Sequence, residues 1–350
     1  MAKNLFISNF KKQIGSIVWV LLFFCLFELA TRLFWKPPIL QELKFLPQKY
    51  RRLEPNYNYG YDTSQPFFYE KGDTFFLYPT EYRFFNEQSM KRVKKENGFR
   101  IFILGPSAAA LPPEKNYSRF LEKFLCRKAP EIEWETVIIS GGGVGSKRML
   151  LYLKQAIEYE PDLLIIHPGG TNEYEDDVTL KYKNTMNSGP RAILYRSNFI
   201  VILNKILLKA GLIASLPIAI ESEVEASNKE ENTQRWVTQF DKNLSEMIEL
   251  ASKHKIPVIL VGGAHRNPNG KTYADDLISA FNIIIKKHSV SKNVIHYVDS
   301  PNILLSHFPH KNNLHLFSMD NWHWGPRTHM LIAEEIAEVI LEYRFCWRVF

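Results

Sequence analysis

A three-layer α/β domain, built on a central parallel sheet of about five strands and preceded by one transmembrane helix, is what this sequence predicts. Three observations predict it. Short apolar runs recur at Arg100–Leu104, Glu135–Ile139, Leu163–His167, Pro257–Val261 and Val294–Val298. Segments of helical period alternate with them, at Tyr117–Arg127, Lys147–Glu158, Trp236–Lys253, Tyr273–His288 and Thr328–Tyr343. One long apolar stretch, Ile14–Trp35, stands ahead of everything else. Runs that are apolar on both faces, with helices between them, belong to a parallel sheet covered on both sides.

The elements follow in chain order. Residues 1–13 carry Lys3, Lys11 and Lys12, and residues 14–35 hold about the 20 apolar positions that a bilayer span requires. Glu28 and Arg32 lie four apart on one helical face, where they pair or snorkel toward headgroups. Trp35 suits an interfacial anchor. The lysines ahead of the span keep the N-terminus cytoplasmic and send the rest of the chain outward, to the periplasm if the cell is Gram-negative. Glu-Leu-Ala-Thr-Arg offers no clear small-residue cleavage pair, so an uncleaved signal anchor is expected over a cleaved signal peptide.

Residues 36–97 are expected to be a tether and peripheral segment. Its first half is rich in Pro and Tyr, and residues 73–97 are open to peripheral strands or a helix. The domain proper runs from 98 to 345. Pro161-Asp162 and Ile256-Pro257 mark strand entries, since the residue before a proline disfavours helix. Residues 174–232 break the rhythm with a helical-looking run at Phe199–Ala214, an insertion of the length of a cap or lid. That run is expected to pack on the domain, with membrane contact as the alternative.

Charge excludes one class of function. The chain has 350 residues and a net charge of +7, but the excess sits entirely within residues 1–52, where nine Lys and Arg face only Glu28 and Glu42. A neutral main domain lacks the electrostatic footprint of nucleic-acid binding. Cys25, Cys126 and Cys346 form no disulfide framework or metal spacing and are expected to be buried or inert. His307, His310, His315, His323 and His329 match no metal template, so solvated loop histidines are expected, His323 excepted on the grounds that follow. Gly141-Gly-Gly-Val-Gly145 lacks the lysine and spacing of a nucleotide loop. His167 and His265, at strand ends, are expected to line the pocket without reacting.

Four blocks carry chemistry. Gly105-Pro106-Ser107 ends the first run, Gly141–Gly143 follows the second, Gly170-Thr171-Asn172-Glu173 follows the third, and Asp320-Asn321-Trp322-His323 precedes the final helix. In an open parallel sheet such loops gather at the carboxyl ends of the strands, where ligands bind. Each residue also has an ordinary reading: Ser107 as a turn or N-cap serine, Asn172 as a loop-capping amide, the glycines as a turn needing positive φ.

In order and placement the four blocks resemble those of the SGNH (GDSL-type) hydrolase superfamily, over about residues 98–345, and its membrane-anchored bacterial envelope members in particular. The resemblance implies a flavodoxin-like three-layer fold. It implies Ser107 as nucleophile, His323 as general base and Asp320 as the carboxylate that orients the imidazole. Ser107, Asn172 and a second-block glycine, Gly141 or Gly142 with Gly142 preferred, would form the oxyanion hole. Two positions depart from the family pattern: Pro106 stands where an Asp is usual, and Ile139-Ser140 precede the glycines where an asparagine is usual.

The expected function is therefore a serine esterase or acyl-transfer enzyme acting on an O-acyl, most simply O-acetyl, ester of an envelope glycan or lipid. It needs no metal or organic cofactor. The alternative is an inactive SGNH-fold binding or scaffold protein at the envelope, for which the two departures speak.

Overall fold

The computed structural model describes residues 2–34, 68–77, 88–140, 143–168, 173, 176–177, 197–212, 229–264, 273–307 and 323–347. Helix α1 (Ala2–Phe34) comes first, then strands β1 (Phe68–Lys71), β2 (Thr74–Leu77) and β3 (Gln88–Lys91). The α/β core begins with β4 (Gly98–Gly105), α2 (Ser107–Ala110), α3 (Tyr117–Lys128), β5 (Glu133–Ser140), α4 (Ser146–Ala156) and β6 (Leu163–Ile166). It continues with α5 (Asn198–Lys209), α6 (Lys229–Lys253), β7 (Val258–Val261), α7 (Tyr273–His288), β8 (Val294–Val298), α8 (Ser300–His307) and α9 (Pro326–Trp347).

The core sheet has five parallel strands in the order β5-β4-β6-β7-β8. Counted along the core, that is 2-1-3-4-5, the doubly wound order whose reversal lies between the first and third strands. All five expected strands are present, and the sheet is parallel as the two-sided apolar runs required.

Alternation within each strand divides the core into two clusters. Ile101, Ile103, Ile138, Leu163 and Ile165 face Tyr117, Leu121 and Leu125 of α3 and Ile332, Ile336 and Ile340 of α9. Phe102, Leu104, Ile139, Leu164 and Ile166 face Met149 and Leu153 of α4, Phe240 and Leu244 of α6, and Phe281 of α7. The strands bury residues on both faces because helices cover both, which is why their sequences read as near-continuous apolar runs.

The segment ahead of the core is more than a spacer. β1, β2 and β3 form an antiparallel meander, and Phe68, Leu77 and Met90 bury into the cluster on the α4 side. Gln88 donates from Nε2 to Ile138 O at 2.6 Å and accepts from Ile138 N at 2.7 Å. Arg100, fully buried, fastens the amino end of the sheet. Its guanidinium reaches Glu135 (2.8 Å), Tyr159 O (2.7 Å) and Lys91 O (2.6 Å). The two short helices α2 and α8 went unanticipated, because one or two turns carry too little periodicity to register.

Helix α5 stops at Lys209, short of the expected Ala214. Gly211 takes φ +69°, and Leu212 N donates to Leu207 O at 3.0 Å. That is a Schellman ending, which needs a residue with positive φ just past the helix.

Among the described residues no helix is long and apolar enough to cross a membrane. The side chains of α1 are described only at Ser16 and from 18 to 34, short of the roughly 20 residues a span needs. Those that are described expose apolar groups all round the helix. Val18 through Phe24 are seven consecutive exposed side chains, a set that leaves no face polar.

Cys25 and Cys126 are both exposed, not buried. Partial desolvation and the Glu122 carboxylate push the Cys126 thiol up, toward its protonated form.

Candidate active site

Strand β4 is central in the sheet, and its carboxyl end leads straight into the first candidate block. Gly105 is the last residue of the strand and Ser107 the first of α2. A Cβ on Gly105 would lie 2.6 Å from Ala109 Cβ and 3.2 Å from His167 O. Only glycine lets the chain turn this closely between the neighbouring strand and the new helix. Pro106 caps α2 with extended backbone, and its carbonyl accepts from Ser140 Oγ at 2.6 Å and from Ala109 N at 3.0 Å. Ser140 sits directly across the sheet from Gly105. Ser140 thus has a structural task, to hold the turn that carries Ser107. Ser107 itself is half-buried, and as the first helical residue its N–H has no intrahelical acceptor.

His323 is described, half-buried, just before α9. Its neighbour Trp324 is fully buried across the ends of two strands. The indole Nε1–H donates to Ala264 O at 2.7 Å, after β7, and the ring packs 4.6 Å from the His167 ring, after β6. Ser107 and His323 therefore both belong to the carboxyl edge of the sheet.

His329, one turn into α9, links the two. Its Nδ1 accepts from Tyr117 N at 3.2 Å, so Nε2 carries the proton and donates to Leu111 O at 2.8 Å. Leu111 is the C-cap of α2, and its own N–H returns to Ser107 O at 2.9 Å. The helix that carries Ser107 and the helix behind His323 are thereby joined through one imidazole. Burial holds His329 well below the usual histidine range, at about 4, and the charge of nearby His323 adds to this. His167, fully buried, is pushed to about 3, by burial first and by His329 second. Both rings are neutral at physiological pH. His167 Nδ1 and Tyr117 Oη, on buried rings whose centroids are 5.9 Å apart, have no hydrogen-bond partner among the described residues.

The opposite flank of the edge is built from carboxylates. Helix α4 starts at Ser146 with Gly145 as N-cap, a residue with no side chain to satisfy the helix's first N–H groups. Two acids from beyond β6 do it instead. Glu173 accepts from Ser146 N (2.6 Å) and Ser146 Oγ (2.9 Å). Asp176 accepts from Gly145 N (3.1 Å), Lys147 N (3.1 Å) and Arg148 N (3.3 Å), and pairs with Arg148 Nε. Arg148 also donates through Nη2 to Gly143 O, and Gly143 holds φ +59°. Ser146 Oγ in turn accepts from Asn243 Nδ2 at 2.8 Å. Glu173, Asp176 and Arg148 are all buried. Burial first, and then the Asp176 charge, push Glu173 up to about 8. The cluster at neutral pH is then a protonated Glu173 beside one ion pair, Asp176 with Arg148, and the buried charges balance.

The structure thus brings Ser107 and His323 to one edge. Asp320, Gly141, Gly142 and Asn172 lie outside the described residues, as do His265, His310 and His315; Gly143 shows the positive φ expected of its block. One expectation is overturned outright: His329 is no solvated loop histidine but a buried, doubly bonded residue on α9, because it falls in phase with Ile332, Ala333 and Ile336 on the packed face. His307 is exposed, as expected. His167 is sealed beneath Trp324 instead of lining an open pocket. Among the described residues no group of three or more His, Cys, Asp or Glu side chains is placed to hold a metal ion.

No family model and no curated protein matches the chain. Solved structures do. A GDSL-like lipase from Bacteroides thetaiotaomicron aligns at 16% identity over 73% of this chain and 93% of its own, with a TM-score of 0.43. The acetyl xylan esterase AlAXEase aligns at 14% identity over 69% of this chain and all of its own, with a TM-score of 0.46. A catalytic mutant of an acetylxylan esterase from Geobacillus stearothermophilus gives 12% identity, 71% and 96% coverage, and a TM-score of 0.45.

Proposed function

We propose that this chain is a membrane-anchored serine esterase or O-acyltransferase of the SGNH type, with its catalytic domain outside the cytoplasm. The observation that carries the chemistry is the Ser107 turn: a serine opens a helix at the end of a central parallel strand, on a glycine that tolerates no side chain, beside the point where strand order reverses. A serine whose only task was to cap a helix would not need that construction.

In this reading Ser107 Oγ attacks the ester carbonyl carbon while His323 takes its proton. Asp320 holds the imidazole in the tautomer that can accept it. The negative charge that develops on the carbonyl oxygen is met by backbone N–H of Ser107 and Gly142 and by the Asn172 amide. Collapse expels the alcohol, protonated by His323, and leaves an acyl group on Ser107. Water then gives hydrolysis, and a sugar hydroxyl gives transfer. A short acyl group, most simply acetyl, on an envelope glycan or lipid is the substrate we favour.

The anchor rests on α1. A helix apolar on every face is buried in a protein core or in lipid, and α1 exposes that surface over its described length. In the sequence, the uncharged run from Ile14 onward brings the apolar stretch to spanning length.

The rival is an inactive scaffold of the same fold. Pro106 favours it, since proline removes one backbone donor from the turn beside the nucleophile. A fluorophosphonate probe on the full chain in detergent separates the two. We expect labelling that disappears in Ser107→Ala and in nothing else on the surface. An unlabelled but cooperatively folding wild type would establish the scaffold.

A further inference from the structure

The insertion between β6 and β7 carries a helix, α5, that packs on α1. Phe199 packs edge-on against Phe24 and Phe27, with ring centroids 5.2 and 4.8 Å away. The contact is polar as well. Glu28 is the one acid of the apolar stretch, and its carboxylate is divided between Arg32 and the start of α5. Oε1 takes Arg32 Nε at 2.6 Å; Oε2 takes Ser197 Oγ at 2.6 Å and Phe199 N at 3.0 Å. The hydroxyl of Ser197 also accepts from Ile200 N at 3.2 Å. An acid of α1 thus sits on the amino end of α5, where unpaired N–H groups and the helix dipole favour negative charge.

We propose that α5 is a second bilayer-contacting helix, seated beside α1 in the outer leaflet and held there by Glu28. The inference rests on α1 being the membrane anchor. Three features commit the occupant of its free surface to lipid. First, an acid inside an apolar span is costly unless partnered, and the partners that α5 supplies lie on the extracytoplasmic side, within two turns of the end of α1. Second, the apolar surface of α1 continues onto α5: Ile206 and Leu212 are exposed at 58% and 71%, and no described side chain of α5 is fully buried. Third, the sequence Phe-Ile-Val-Ile-Leu-Asn-Lys-Ile-Leu-Leu-Lys places Lys205 and Lys209 four apart among apolar residues, a composition that suits a helix in a membrane interface.

The consequence is a domain attached at two points. With α5 also seated, the insertion that begins at the Glu173–Asp176 cluster is fixed to the bilayer, which suits an ester presented at the membrane surface.

The test uses the full chain with its three cysteines replaced, reconstituted in vesicles of phosphatidylethanolamine and phosphatidylglycerol. A single cysteine placed by Ile206→Cys carries an environment-sensitive fluorophore, and Val290→Cys, exposed at 88% on the far side of α7, serves as the domain control. We expect the Ile206 label to shift to the blue and to be quenched several-fold by brominated lipid. The Val290 label should not respond, and Glu28→Gln should reduce the Ile206 quenching. A chain that floats with the vesicles while its Ile206 label stays unquenched overturns the proposal, whether that label is in water or buried in protein. A chain that does not float at all overturns the anchor itself, which is a different result.

Discussion

The two flanks of the sheet's carboxyl edge bury polar groups by opposite means. On the α3–α9 side the groups are imidazoles and a phenol, kept neutral by desolvation, and the helices are tied by two neutral hydrogen bonds from His329 to the backbone of Tyr117 and Leu111. On the α4 side they are carboxyl groups, held by four backbone N–H groups, the Ser146 hydroxyl and a buried guanidinium. The first flank holds the helix of Ser107 against that of His323. The second holds the glycine turn at Gly143 against the segment that follows Asn172. A protein can position two catalytic loops with weak neutral contacts or with strong charged ones, and the difference lies in what happens when one partner is lost. Neutral contacts fail by about one hydrogen bond; a charged cluster leaves an uncompensated ion behind.

The largest effect is therefore expected at Arg148. Arg148→Met removes the cation while Asp176 stays buried among three N–H donors, which should cost roughly 3–5 kcal/mol of stability, read as a lowered midpoint in urea. Adding Asp176→Asn should recover only part of it, since the amide cannot accept all three backbone bonds. A cost near that of an exposed ion pair such as Lys154–Glu246, about 0–1 kcal/mol, would mean that the cluster is hydrated and the contrast between the flanks false.

Next comes His329. Replacement by Leu keeps the apolar contacts with Tyr117 and Trp324 but strands the buried Leu111 carbonyl and Tyr117 N–H, at about 1–3 kcal/mol. His329→Gln, which can offer one donor and one acceptor, should restore much of the stability. If His329 also aligns Ser107 with His323, the Leu variant should lose ester turnover at unchanged KM beyond what its stability explains. Equal loss in kcat with full restoration of fold by Gln, but not of rate, would separate alignment from mere packing.

Much of this fold was legible in the sequence, and the reasons are specific. Strands at 101–104, 137–139 and 163–166 show themselves because both faces are buried, so the hydrophobic signal is doubled. Ser107 and His323 could be found because they border such strands or the last helix. Glu173 and Asp176 could not: they satisfy a helix that starts 27 residues earlier in the chain, and no local pattern records a cap supplied from elsewhere. The one available hint was negative, a helix start at Gly145-Ser146 with no acid in its first turn. His329 was hidden differently, since a polar residue on an apolar stripe reads as noise until its partners are seen. The α1–α5 contact spans about 170 residues, and Glu28 offered only its (i, i+4) arginine as a visible partner.

The smallest and most discriminating effect is the pH dependence of stability. His167 and His329 fold with values of about 3 and about 4, below the ordinary 6.5. Between those values the unfolded chain holds protons that the folded chain lacks, so stability rises as pH climbs toward 6.5. Glu173 has the reverse sign. Its folded value of about 8 lies above the ordinary 4.5, so the folded chain holds a proton that the unfolded chain has released, and stability falls as pH rises from 4.5 to 8. Two imidazoles outweigh one carboxyl below 6.5, and the carboxyl acts alone above it. These groups together place the maximum near pH 6.5 and assign its two slopes to the two flanks. Glu173→Gln should cost about 1 kcal/mol or less at pH 6, because an amide replaces a protonated acid: its oxygen still accepts Ser146 N–H, and its NH2 meets Ser146 Oγ. By pH 9 the same variant should be at least as stable as the wild type; its alkaline slope should flatten, and its rise between pH 4.5 and 6.5 should steepen because the opposing carboxyl is gone. His329→Gln should flatten the acid rise and leave the alkaline slope unchanged. Denaturation midpoints measured from pH 4 to 9 on the three proteins decide the matter, and a Glu173→Gln profile parallel to the wild type would show that this carboxyl is already ionised in the folded chain.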